Sequence, residues 1–491
     1  MCRKAWVVTL TAKMSVELAT KNTRRWLPLI CIGLVSGCAH FQPQPLSPGK
    51  TASLLQARRL DDAGLKKFLE ENLGYELQNW PLKSWDLQTL TLTAFYFQPS
   101  LNVARAQWRV AQAGVKTAGG RPNPTVSLVP GYDTSAAMGV NPWFPAVDFD
   151  LQLETAGKRG KRIAEANQLS ESARLNIIAT AWKVRSDVRA NLLDFKIAER
   201  RVSLWQNQFT AQQQIMKLLQ QRFDVGQISR PELTTAQIAL NKTLLDFSDA
   251  QSKQAEARSQ LAHTIGVTIE VLDGMELDFD FSRQASDDLT SAEAHRVALH
   301  SRADILGALS DYAAAEDDLR LEVAKQYPDV HLNPGYQFDQ GDNKWLLGLT
   351  IELPILNQNQ GPIAEAEARR KLAAEKFIEL QWQVIGEIDR AVAGFRVARE
   401  QLKTAGSLFA AEQQQQKSAK AQLKAGAADE LDSESAELEF DSASLAQLDS
   451  ETKLQTTLGA LEEALQIPVD SISTIVEKTL TGNPNGKELQ K

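Results

Sequence analysis

Cys38 is the residue whose surroundings most clearly spell out a covalent chemistry. It closes the run Val35-Ser36-Gly37-Cys38, an aliphatic residue, two small ones and a thiol, behind Arg24, Arg25 and a short apolar stretch from Trp26 to Val35. About ten apolar residues are too few to span a bilayer as a helix, which needs roughly 20. They suit the core of a secretory signal peptide behind a basic start. Small residues before the thiol let a peptidase approach the chain, and the thiol then takes a diacylglyceryl group, the pattern of a bacterial lipobox. Cys38 is therefore the expected lipidation site, the alternative being a simple secretory cleavage site with a chance Cys; Ala39 after it, in place of the Asp usual for inner-membrane retention, favours the outer membrane by resemblance to such lipoproteins. Residues 1–20 read as extra leader, with Met14 as an alternative start. Cleavage also removes Cys2 and Cys31, so the mature chain keeps one Cys and no disulfide, although the compartment is oxidising.

Other reactive chemistry is poorly supplied. The chain has five His and three Cys. His263, His295, His300 and His331 are scattered, and no HExxH, GxSxG or phosphate-binding loop occurs. The expectation is a non-enzyme with no cofactor and no metal centre. The 491 residues carry 54 basic and 61 acidic side chains, a formal charge of −7. Residues 1–37 hold Arg3, Lys4, Lys13, Lys21, Arg24 and Arg25 against Glu17 alone, so their removal lowers the charge to about −12. A nucleic-acid binder would carry a basic patch instead. Hydrophobic residues at 43% are too few for a multi-pass helical membrane protein.

The elements come in two copies. Pro122-Asn-Pro124 through Pro130-Gly131-Tyr132 finds Tyr327-Pro328-Asp through Pro334-Gly335-Tyr336. Leu151-Gln-Leu153-Glu154 matches Leu349-Thr-Ile351-Glu352, and Ile163-Ala-Glu-Ala166 matches Ile363-Ala-Glu-Ala366. Val225-Gly226 and Ala236 match Ala425-Gly426 and Ala436. Matches in constant order at a spacing of about 200 residues indicate duplication. Helices are predicted over 88–120, 160–223 and 231–265 in the first copy and over 293–326, 361–423 and 430–466 in the second. The long helix of the first copy would run about 96 Å at 1.5 Å per residue. Each copy then makes a tall helical hairpin, rich in Ala, Gln, Glu, Lys and Leu as coiled coils are. The expected domains are a signal peptide (1–37), a lipid-anchored tether and equatorial segment (38–87), a first repeat (88–266), an equatorial linker (267–292), a second repeat (293–468) and a polar tail (469–491).

Four short segments alternate with a period of two: 125–133, 146–154, 330–339 and 344–353. Each is about 9–10 residues, the length of a tilted strand crossing a bilayer. Alternation alone fits a soluble sheet with one buried face better. Two features favour the membrane. Tyr132, Tyr336, Phe338 and Trp345 decorate the apolar face near the loops, like an interfacial girdle. The lipidation signal also places the chain at a bacterial envelope. Four strands cannot close a barrel, since spanning barrels start at about eight, and an open edge in lipid costs several kcal/mol per unpaired group. Spanning therefore requires an oligomer, a dimer or a trimer. The polar face would line a channel with Asp133, Asp148, Asp150, Glu154, Asp339 and Glu352.

The duplicated helix–strand–strand–helix unit, with Pro122-Asn-Pro124 and the paired Ile-Ala-Glu-Ala runs, resembles the TolC-type outer-membrane efflux family. The stretch Glu154 to Ile163 and the stretch Tyr327 to Tyr336 are similar to its heavy-metal and multidrug lipoprotein branch. The resemblance covers about residues 75–468. It implies a mainly helical homotrimer, with an α-barrel built from the duplicated hairpins and a 12-stranded β-barrel in outer-membrane lipid. It implies a periplasmic adaptor docked at the helical tips (Val225, Gly226, Ser229, Ala425, Gly426) and an inner-membrane pump of the resistance-nodulation-division type. It further implies acidic rings closing the inner end, for which Asp429 and Glu430 are the candidates; helix N-capping is the alternative role for them. The basic cluster Lys158, Arg159, Lys161 and Arg162 is expected at the barrel–helix junction as a solvated turn, with lipid head groups as the other option. The expected function is an exit duct for metal cations or cationic drugs. The alternative is a periplasmic coiled-coil adaptor or structural lipoprotein, though adaptors usually carry one hairpin flanked by small β domains. An enzyme is the least favoured reading.

Overall fold

A computed structural model of the chain describes residues 41–282 and 290–468. Cys38 and the tail from 469 onward lie outside the described residues. The chain divides into two compact units, Met1–Ala57 and Arg58–Lys491. In the first, the described residues form one exposed helix, α1 (Pro48–Gln56), with Pro48 at its first position, where no N–H is needed.

The second unit opens with α2 (Ala63–Leu73), capped by Asp62, which accepts from the Leu65 N–H at 2.8 Å. The two-residue strand β1 (Ser84–Trp85) follows. The helix predicted over 88–120 is in fact two, α3 (Leu87–Phe97) and α4 (Pro99–Ala118). Pro99 lacks an N–H and holds Gln98 extended, at φ −65° and ψ 123°. Then come β2 (Thr125–Val129), β3 (Ala146–Leu153), the 67-residue α5 (Lys158–Asp224) and α6 (Arg230–Ile265). A short 3-10 turn (Ile269–Leu272) leads to β4 (Glu276–Leu277), which pairs parallel with β1.

The second copy repeats this plan with α7 (Ser291–Ser301), α8 (Ala303–Ala324), β5 (Val330–Asp339), β6 (Asp342–Ile351), α9 (Gln360–Lys424) and α10 (Glu430–Leu465). Here too the single helix predicted over 293–326 is broken, at Arg302, with no proline to announce it. The reason is a shared device. Gln98 donates its amide to the carbonyls of His263 and Thr264, at 3.1 and 2.5 Å, closing the C-terminus of α6. Arg302 donates through Nη1 to the Ala464 carbonyl at 2.7 Å, closing α10; the same nitrogen also donates to Glu387, and Asp304 accepts from Nε and Nη2. Each break thus satisfies the end of a return helix, whose last carbonyls otherwise lack donors.

The four longer strands form one antiparallel sheet in the order β2-β3-β5-β6. The helices lie side by side in a matching order. α5 packs against α4 and α6 on one side and against α8 and α10 on the other, and α9 packs beyond these against α8 and α10. Two apolar cores sit near mid-length of the long helices. One gathers Val188, Leu192 and Leu193 of α5 with Leu65, Leu90 and Leu261. The other gathers Val384 and Ile388 of α9 with Leu458 and Leu461. Among the described residues no helix is long and apolar enough to cross a membrane.

Candidate functional site

Strand register sorts the side chains into two faces, because directly paired residues share a face. Val147 pairs with Tyr336, Leu332 with Leu349, and Tyr336 with Trp345. This face is apolar and open: Trp345 is 81% exposed, Leu347 79% and Leu128 70%. The other face carries Asp148, Asp150, Gln152, His331, Gln337 and Lys344, with Gln152 opposite His331 and Gln337 opposite Lys344. At the loop end Tyr336 and Trp345 meet with ring centroids 5.0 Å apart, and Tyr132 meets Trp143 at 4.9 Å. Trp143 belongs with the four aromatics expected there, but it lies in a loop outside every alternating run.

The first strand is shorter than the alternation predicts. β2 stops at Val129 instead of reaching Asp133. Pro130 cannot donate to the ladder, and pairing resumes only as the Tyr132–Trp143 bridge. Between them the Phe144 ring lies over Gly131, where a Cβ would come within 2.1 Å of it.

The six acids expected on the polar wall have different surroundings. Asp150 lies 2.9 Å from His331 Nδ1, and Asp339 accepts from Lys344 Nζ at 2.7 Å. Glu154, one residue beyond β3, is paired with Arg162. Asp133 lies in the β2–β3 connection and accepts the Ser135 N–H and hydroxyl, both at 2.8 Å. Asp148 lies across Gly335. Glu352 follows the last residue of β6. Partners for part of this set were visible in the same alternating runs, at His331 and Lys344, but alternation does not say which residues meet.

The basic cluster is not a solvated turn. Lys158 is buried, with its ammonium 2.7 Å from Asp329, which also accepts from the Thr155 N–H and the Gln152 amide, each at 3.0 Å. Burial alone would raise the Asp329 carboxyl, but these three donors hold it below its ordinary 3.8. Arg159 donates to the Gly119 carbonyl at 2.8 Å, and Arg162 donates to the carbonyls of Ala118 and Gly120, both at 3.3 Å. Cations on the last carbonyls of a helix also suit its dipole. The cluster therefore ties the start of α5 to the end of α4 and to the root of β5.

The two tips share one geometry. Gly226 has φ +74° and Gly426 φ +69°, the left-handed conformation that glycine adopts most easily. In each the next N–H reaches back to close the helix, Gln227 to Arg222 at 2.8 Å and Ala427 to Gln422 at 2.9 Å. Val225 is exposed, Ala425 ends its helix in the same way, and Ser229 receives the Glu232 carboxylate on its N–H at 3.3 Å. Asp429 is the N-cap of α10: its carboxylate accepts from the Asp432 N–H at 2.9 Å and pairs with Arg222 of the other tip. The Asp432 N–H and then the Arg222 guanidinium hold the Asp429 carboxyl below its usual range. Glu430 stands in the first turn of the same helix. Among the described residues no group of three or more His, Cys, Asp or Glu side chains could hold a metal ion.

A family described as outer membrane efflux protein matches the chain twice, over residues 97–267 and 295–465, well over half its length. The chain is 23% identical over 294 residues to the cobalt-zinc-cadmium resistance protein CzcC of Cupriavidus metallidurans, covering 57% of this chain and 65% of that relative, just under two thirds of its length. Among solved structures it is similar to the outer-membrane channel OprN (TM-score 0.65, 19% identity, 87% of this chain and 98% of that one). It is likewise similar to CusC (TM-score 0.62, 19% identity, 80% and 95%). At these identities the structures speak for the fold alone.

Proposed function

This chain belongs to the outer membrane efflux protein family, and from that premise we propose that it is the exit duct of a tripartite efflux pump. It works as a homotrimer that passes metal cations or cationic drugs from the periplasm to the outside. The observation that carries this reading is the sheet: an exposed apolar face, a polar face behind it, and unpaired edges at β2 and β6. In lipid those edges must be paired. Three four-stranded sheets joined edge to edge make a closed barrel of about twelve strands. The helices support the same operator, because the outer helices of the protomer, α4 with α6 and α9, carry exposed apolar residues such as Val110, Leu245, Trp382 and Val397.

The remaining parts take roles consistent with a duct. Cys38 anchors the chain in outer-membrane lipid. The tips around Val225, Gly226, Ser229, Ala425 and Gly426 receive a periplasmic adaptor, and an inner-membrane pump of the resistance-nodulation-division type drives transport. Asp429 and Glu430 ring the inner aperture, and the acids of the sheet's polar face line the outer channel. Cation export is favoured by that acidic lining, which concentrates cations, and by the name of the metal-resistance relative. The full-length protein in a planar lipid bilayer should give discrete conductance steps; a protein that inserts and stays silent would overturn the duct. The double variant Asp429→Asn, Glu430→Gln should change cation conductance, and an unchanged value would remove the aperture role while leaving the duct.

A further inference from the structure

Asp441 lies about three turns from the tip of α10 and is 2% exposed. Its Oδ2 has no hydrogen-bond partner. α10 packs here against α5 and α9. α5 meets this stretch with buried Gln208, whose amide donates to Ser442 Oγ at 3.3 Å, and with buried Gln212 one turn on. Its nearest charges along the helix are Arg201, which is engaged by Asp449, and Lys217. α9 brings Lys420, but that ammonium is 2.5 Å from Glu437, which also accepts the Gln416 amide at 2.8 Å. Glu437, one turn toward the tip on α10 itself, adds a second negative charge. Asp441 is thus a carboxyl sealed between three helices with no counter-charge of its own.

We propose that Asp441 couples protonation to the packing of the inner part of the second hairpin against α5, holding it shut when neutral and loosening it when charged. A buried, unpaired carboxylate is far less favourable than the neutral acid. Burial, reinforced by Glu437 and opposed by Lys420, pushes the Asp441 carboxyl from its ordinary 3.8 up to about 6. The closed form therefore holds its proton more tightly than an opened one. Its advantage is complete below about pH 4 and is lost as pH rises through about 6. The first repeat has Asn241 at the matching position, in register with the Ala236 and Ala436 pair, so only the second hairpin carries the titrating group.

Backbone hydrogen exchange on the full-length protein in detergent tests this at about pH 5 and about pH 7.5. After correction for intrinsic rates, exchange over 431–445 should rise about tenfold at the higher pH, while 231–245 in the first repeat stays level. Asp441→Asn, isosteric and permanently neutral, should leave 431–445 slow at both values. A wild-type segment that ignores pH, or a D441N protein that keeps the rise, would overturn the proposal. The readout stands without the duct reading; only the consequence, an inner end that is firmer in acid, rests on it.

Discussion

At the scale of residues, the junction around Lys158 makes the strongest demand on its partners. Lys158 and Asp329 are both largely buried, so removing one leaves the other as an uncompensated charge. Lys158→Met should destabilise the folded chain by about 3 kcal/mol in detergent unfolding. The pH dependence has a definite sign. Lys158, Thr155 and Gln152 outweigh burial and depress the Asp329 carboxyl, so its stabilisation is present above its unfolded value of about 4 and lost as pH falls through the lower folded value. Wild type should therefore lose more stability than Asp329→Asn between about pH 5 and about pH 3, and equal losses would assign the acid sensitivity elsewhere. The sequence shows Lys158 to Arg162 as four cations in a turn-like setting, which reads as a solvated surface. Their partners Asp329, Ala118 and Gly119 are distant in the chain, and only the meeting of β3 with β5 brings Asp329 within reach.

At the scale of elements, the turns can be separated from the functions placed on them. Asp429 caps α10 whatever else it does, so Asp429→Ala should cost about 1 kcal/mol, while Asp429→Asn keeps an acceptor for the Asp432 N–H and should cost little. Thermal unfolding of the two variants, set beside their conductance, divides capping from gating. The β5–β6 hairpin turns at Gln340-Gly341, both at positive φ (51° and 100°), where Asn-Gly is the preferred pair. Gln340→Asn should raise stability by about 0.5 kcal/mol, and a loss would mean that the Gln340 side chain has a role of its own. Much of this level was legible. The layout of the duplicated copies predicts α5 over 160–223 and it runs Lys158–Asp224; alternation predicts β5 over 330–339 and it runs Val330–Asp339. The break at Arg302 was not legible, because it arises from a long-range bond to the end of α10 and not from a local helix breaker. Nor was the early end of β2, since an alternating pattern continues through Pro130 although the ladder cannot.

At the scale of the whole molecule, the two repeats give the protomer two different flanks, and closure requires that they fit each other. One flank has β2 with α4 and α6, and the other has β6 with α9. Such a contact is heterologous, so it closes into a ring only if the rotation per copy divides the circle. In the proposed trimer the driving force of that contact would come from exposed apolar residues: Leu245 is 71% exposed on the first flank and Trp382 76% on the second. Burying a side chain of this kind is worth about 1.5–3 kcal/mol per contact, counted three times in a trimer. A charge at Leu245 or Trp382 should therefore undo assembly without touching the protomer's own cores, which gather residues of α2 to α6 with Leu448 of α10 in one case and of α7 to α10 in the other, and include neither side chain. Leu245→Lys and Trp382→Glu, each alone, should shift the native mass in detergent from three chains toward one while the circular-dichroism helix signal is retained. Intact trimers in both variants would mean that these stripes face lipid, adaptor or solvent instead of a second copy, and that the sheet edges alone hold the ring together.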